Sequence, residues 1–93
     1  MSKLIIALTL CCMGTAFASE QIARDNQCFK CHAIDSKKKA PSFQSIAKNS
    51  DADEIAHVIR KGITSLFGSS KMPANTRMSD AELKSVTQWI LQQ

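Results

Sequence analysis

The sequence has no tyrosine, one tryptophan, three glycines and two prolines in 93 residues. Strands and tight turns are punctuated by glycine and proline clusters, and none is present, so an all-β fold is not expected. There is no internal repeat and no low-complexity tract, which removes solenoid and fibrous architectures. The charge also lacks a strong bias. Twelve Lys and Arg face eight Asp and Glu, a formal net charge of +4, too mild to point to nucleic acid. What remains is an ordinary globular mixture, 44% hydrophobic and 22% charged, in a length that suits one small domain.

A hydrophobic run long enough to span a membrane is missing as well. Leu4 to Ala18 carry no charge, but a span needs roughly 20 residues. The run follows a positive start, Met1-Ser2-Lys3, and ends in Ala16-Phe17-Ala18, the small-x-small pattern of signal cleavage. Residues 1–18 are therefore expected to be a signal peptide and residues 19–93 the mature domain. Leu10 precedes Cys11, where lipoprotein processing takes a small residue, so Cys11 and Cys12 are not read as a lipid anchor. Cleavage removes Lys3, lowers the net charge from +4 to +3, and leaves Cys28 and Cys31 as the only cysteines. Export places the domain in an oxidising compartment, with no stable membrane insertion after cleavage. A chain this small rarely builds a core worth more than ~3–5 kcal/mol, so a staple or prosthetic group is expected.

The periodicities are helical. Glu20 to Gln27 form a short lead-in with Ile22 and Ala23 apolar. Asp35 to Pro41 is a polar loop containing Lys37, Lys38 and Lys39. Ser42 caps a brief helix through Phe43, Ile46 and Ala47. Ser50 is read as the cap of a longer helix. Asp51, Asp53 and Glu54 crowd its start, where the helix dipole favours negative charge. Ala52, Ile55, Val58 and Ile59 form its stripe, and Arg60-Lys61-Gly62 mark its end. Residues 63–78 lose the period. Unstructured stretches of this length in a small domain are usually functional. Ser79-Asp80-Ala81-Glu82 is a capping box, and Leu83, Val86, Trp89 and Ile90 then recur as one buried stripe.

The chemistry lies in Cys28-Phe29-Lys30-Cys31-His32. C-x-x-C-H is the attachment sequence of c-type haem. Two thiols at this spacing meet the two vinyl groups on one edge of a porphyrin, and the next residue places an imidazole beneath the iron. A thioredoxin-like redox pair would need a strand before the motif, and a helical segment precedes it. A structural zinc site takes four ligands, and beyond this motif only His57 is available. The second axial position has three candidates. His57 lies on the middle helix among charged residues. Met78 abuts Ser79 and reads as a staple residue. Met72 fits best, because it sits in the aperiodic stretch and Pro73 stiffens the backbone beside it.

These blocks resemble the small bacterial class I c-type cytochromes of the c-551 type. The resemblance runs from Glu20 to Gln93. It rests on Cys28 to Asp35, Ala40-Pro41-Ser42-Phe43, Lys71-Met72-Pro73-Ala74-Asn75, and Ser79 through Leu91. It implies an all-α fold wrapped around one covalent haem c. Cys28 and Cys31 would carry the thioethers, and His32 and Met72 would ligate the iron. Pro41 would offer its carbonyl to the free ring nitrogen of His32, and Asn75 would donate toward the Met72 sulfur. Three positions depart from the pattern. Ala40 replaces the usual glycine before the proline. Phe67 stands where relatives have a Trp that bonds a haem propionate. No ring on the first helix is available to Trp89.

Iron filled on both axial sides by protein has no room for substrate, and His/Met ligation raises its potential. The expected function is a soluble periplasmic one-electron carrier, monomeric and not an enzyme. It would shuttle between redox partner proteins such as a reductase, an oxidase or a dehydrogenase. A haem-based sensor or enzyme for NO, O2 or CO, with a displaceable distal ligand, is the alternative. A haem-free thiol oxidoreductase is the third. Leu66, Phe67, Ile46, Ile55 and Ile59 are expected haem-wall residues. Lys30, Lys37, Lys38, Lys39, Lys48 and Lys71 form a basic rim that would steer an acidic partner.

Overall fold

The computed structural model describes residues 18–63 and 72–93. Residues 1–17 of the expected signal peptide lie outside them, as do Leu66, Phe67, Gly68 and Lys71. Helices account for all the regular structure among the described residues, apart from one isolated antiparallel bridge between Ile63 and Met72. We label them α1 (residues 18–25), α2 (Phe43–Asn49), α3 (Ala52–Lys61) and α4 (Asp80–Leu91). A 3-10 turn, Cys28–Lys30, follows α1.

Local signals set most of the helix ends. On α1, Gln21 bonds Asp25 at 2.8 Å along the exposed face, while Ala23 is wholly buried on the other. The helix stops where Gln27 enters the left-handed region with φ 63°. A side chain there costs about 1–2 kcal/mol relative to the right-handed well, and the residue turns the chain into the 3-10 segment. The Ser42 hydroxyl accepts from Ser45 N at 3.1 Å and starts α2. Seven residues of helix are marginal alone, and α2 is anchored by Phe43, only 1% exposed. The expected cap of α3 shifts by one residue. Asp51, not Ser50, accepts from Glu54 N at 2.9 Å. Ser50 instead closes α2 by donating its N–H to the Ile46 carbonyl. Two helices separated by two polar residues leave the boundary ambiguous in sequence, and the carboxylate is an equally good cap.

The core lies where α4 packs on α2 and α3. Ile55 and Ile59 of α3 and Val86, Trp89 and Ile90 of α4 are buried, together with Met78 just before α4. The Ser79 capping box is complete, with Glu82 N on the Ser79 hydroxyl at 3.1 Å and Ser79 N on the Glu82 carboxylate at 2.9 Å. Such a cap is worth about 1 kcal/mol.

Trp89 finds rings from outside the first helix. Phe43 meets it edge-on at 5.1 Å between centroids, and Phe29 lies at 5.8 Å. Phe29 and Phe43 close the triangle at 5.4 Å. Each such pair contributes about 0.5–1.5 kcal/mol beyond burial. The guanidinium of Arg24 covers Phe29 at 4.2 Å from its centroid. Phe29, one of the two variable residues inside the C-x-x-C-H motif, thus ties the motif to the core.

Candidate functional site

A cavity of about 790 Å3 opens between the 3-10 turn and the chain that follows α3. This lies within the range of cofactor sites, ~300–1,000 Å3. Cys28, Cys31 and His32 line one side, with Ala40 and Pro41 beside them. Met72, Pro73 and Asn75 line it from the distal segment, and Ile59, Ile63 and Met78 complete its apolar surface. Of the other expected wall residues, Ile55 is buried in the core and the half-buried Ile46 packs against it.

The attachment side is built by short loops. His32 N donates to the Cys28 carbonyl at 3.0 Å, and Ala40 N donates to the Cys31 carbonyl at 3.0 Å. The loop returns so that Pro41 O lies 2.7 Å from His32 Nδ1. With the proton on Nδ1 this is a donated hydrogen bond, and Nε2 is left with its lone pair for a metal. His32 also stacks on Phe43, centroids 5.3 Å apart and planes 28° apart. Ala40 takes the place of the usual glycine without strain, because positive φ among the described residues occurs only at Gln27 and Gly62.

Both thiols are unpaired and half-buried. Burial pushes the Cys28 thiol above its ordinary range, and a backbone hydrogen bond at the same residue offsets part of that shift. Lys38 is exposed, yet its Nζ donates to the Phe29 carbonyl at 3.1 Å. It therefore braces the motif, whereas Lys30 and Lys39 line the cavity.

The distal side is held from α3. Ile63 N donates to Met72 O at 2.8 Å, and Asn75 N donates to Ile59 O at 2.9 Å. Gly62 has φ +76°, and a Cβ there would lie 2.6 Å from Met72 O and 2.7 Å from Ala74 N. The backbones meet there because glycine has no side chain. Arg60 Nη1 donates to the carbonyls of Asn75, at 3.1 Å, and Met78, at 2.8 Å, while Nη2 pairs with Asp80 at 3.1 Å.

Of the other distal candidates, His57 is exposed on α3. Met78 is 4% exposed, a member of the core cluster as well as of the cavity wall. The Asn75 side chain bonds in directions that the resemblance did not imply. Its Oδ1 accepts from Arg77 N and Met78 N, both at 3.0 Å, and Nδ2 donates to Asn26 Oδ1 at 2.9 Å. An amide nitrogen has two protons, and this bond uses one.

In sequence, Asn26 belongs to no motif and Arg60 reads only as a last-turn cation of the middle helix. No local signal marks these roles, because Asn75, Met78 and Asp80 lie far along the chain from them.

The chain's similarities agree with this geometry. Residues 17–90 match a family model described as cytochrome c oxidase, cbb3-type, subunit III. Cytochrome c-552 of Hydrogenobacter thermophilus is 36% identical over 96 residues, covering 98% of this chain and 97% of that protein. The chain belongs to the small bacterial class I c-type cytochromes. The crystal structure of Nitrosomonas europaea cytochrome c552 superposes with a TM-score of 0.67 at 32% identity, covering 78% of this chain and 96% of that one. The class 1 cytochrome MtoD of Sideroxydans lithotrophicus gives 0.66 at 26% identity, over 81% and 91%.

The fold is thus the all-α class I cytochrome c fold, and the cofactor is one covalently attached haem c. The protein is an electron carrier rather than an enzyme. The donor set fits that group, with two unpaired thiols, an imidazole with one nitrogen already engaged, and an apolar cavity.

Proposed function

We propose that this cytochrome is an exported, periplasmic one-electron carrier whose haem is held by Cys28 and Cys31 and ligated by His32 and Met72. The observation that carries the reading is that His32 and Met72, far apart in sequence, line one cavity. The haem supplies a ferric–ferrous couple. The protein does the rest. The thiols anchor the ring covalently, Pro41 keeps the His32 imidazole oriented, and the α3 end seats Met72. With His32 and Met72 both bound, the iron would have no open position for a substrate, which suits electron transfer.

Residues 1–18 are proposed as the signal peptide and 19–93 as the mature, monomeric domain. Among the described residues, no helix is long and apolar enough to cross a membrane. Lys30, Lys39 and Arg77 line the cavity and are proposed to attract an acidic redox partner, a reductase, oxidase or dehydrogenase. Nucleic acid is not a proposed partner.

The decisive experiment replaces the distal ligand. Met72→Ala should abolish the weak near-infrared sulfur-to-iron band of the ferric protein and let the ferrous protein bind carbon monoxide. Met78→Leu should leave the band in place, since volume-conserving core swaps cost under ~1.5 kcal/mol. A band that survives Met72→Ala but not Met78→Leu would reverse the assignment.

A further inference from the structure

Asn26 does more than end α1. Its Nδ2 donates to the Ile22 carbonyl at 2.8 Å, which leaves Oδ1 as the acceptor for Asn75 Nδ2 at 2.9 Å. The orientation of Asn75 is fixed independently. Its Oδ1 receives two backbone N–H groups, which only the oxygen end of an amide can do, so Nδ2 must face Asn26. Both residues line the cavity. The bond joins the chain just before Cys28 to the chain just after Met72, across 49 positions of sequence.

We infer that Asn26 is a latch. Through Asn75 it holds the Met72 segment closed over the cavity and so controls how readily the distal position opens. The inference rests on Met72 as the distal ligand. Asn26 is a positioning residue, since it acts through Asn75. One neutral hydrogen bond changes an opening equilibrium by about two- to tenfold. An added ligand that competes with Met72 reports that factor as apparent affinity, because affinity scales with the open fraction.

The test is imidazole titration of the ferric holoprotein, followed by loss of the sulfur-to-iron band. At mildly alkaline pH imidazole is uncharged, so a charge change at position 26 perturbs its binding least. Asn26→Ala should keep the band without imidazole and bind imidazole about two- to tenfold more tightly. Asn26→Asp keeps an oxygen for Asn75 and loses the donor to Ile22, and it should stay within about twofold of the unaltered protein. Asn75→Ala should bind imidazole at least as tightly as Asn26→Ala, and adding Asn26→Ala to it should change nothing further.

Wild-type affinity in Asn26→Ala would overturn the latch. So would equal loosening in Asn26→Ala and Asn26→Asp, which would assign the effect to the helix-end bond. Additive effects in the double variant would also overturn it. A missing band in the unaltered protein overturns the Met72 reading instead, and the latch falls with it.

Discussion

On the attachment side of the cavity, the hydrogen bonds link residues close in sequence. Cys28 O receives His32 N, Cys31 O receives Ala40 N, and Pro41 O receives His32 Nδ1, all between positions 28 and 41. On the distal side, Met72 and its neighbours are held from elsewhere. Ile59 and Arg60 of α3, Ile63 just beyond it and Asn26 just beyond α1 reach them, over sequence separations as large as 49. The first side is a local loop that carries His32. The second takes its shape from contacts with the packed helices. The difference teaches that the attachment side is shaped by its own short loop, whereas the distal side depends on residues distant in sequence, several of which also line the cavity.

The sharpest way to break this contrast is Gly62→Ala. The new Cβ would crowd the Met72 and Ala74 backbones, at 2.6 and 2.7 Å, on a residue already at positive φ. The expected cost is about 2–3 kcal/mol, a fall in Tm of roughly 10–20 °C for a chain of this size. The sulfur-to-iron band should weaken with it, while haem remains covalently bound. Thermal scans and near-infrared spectra of the holoprotein check both halves. An unchanged band and Tm would mean that the α3 end does not seat Met72.

Arg60→Ala should come next. It strips two carbonyls of their charged donor, at about 1–3 kcal/mol of stability, and should raise carbon monoxide binding modestly. Arg60→Lys should recover part of the loss, because one ammonium still reaches a carbonyl. Asp80→Asn should have little effect, since that carboxylate is fully exposed and surface ion pairs contribute little. Chemical denaturation of the three variants separates the terms. If Asp80→Asn costs as much as Arg60→Ala, the ion pair and not the carbonyl clamp holds the segment.

The smallest effect is expected on the attachment side, from Gln27→Gly. Glycine accepts the left-handed backbone of Gln27 without penalty but loses more entropy on folding. The balance is a gain of under ~1 kcal/mol, read as a higher denaturation midpoint with an unchanged sulfur band. A loss of stability would show that the Gln27 side chain contributes more than its backbone strain costs.

Much of the fold was legible because it is encoded locally. The Ser42 and Ser79 caps, the glycine stop at Gly62, and the buried positions Val86, Trp89 and Ile90 need only neighbouring residues to be read. The miss at Ser50 arose from a two-residue gap in which either polar residue can cap. The lysine run looked uniform in sequence, yet Lys38 is tied to Phe29 O while Lys39 lines the cavity. Phe29 carried no signal, because motif spacing specifies nothing about the intervening residues. Its partners, Arg24, Phe43 and Trp89, come from three different helices.

The sequence by itself determined the helices, the haem attachment motif and the candidates for its second axial ligand. Each of these depends on residues within a few turns of one another, where spacing is geometry. Tertiary structure alone decided what surrounds that candidate set. It brought Gly62 against the Met72 backbone, turned Arg60 from a helix-end cation into a clamp on two carbonyls, and joined Asn26 to Asn75. Those contacts close long loops, at an entropy cost that the packing of α4 on α2 and α3 must offset, and no local pattern records which distant residues meet.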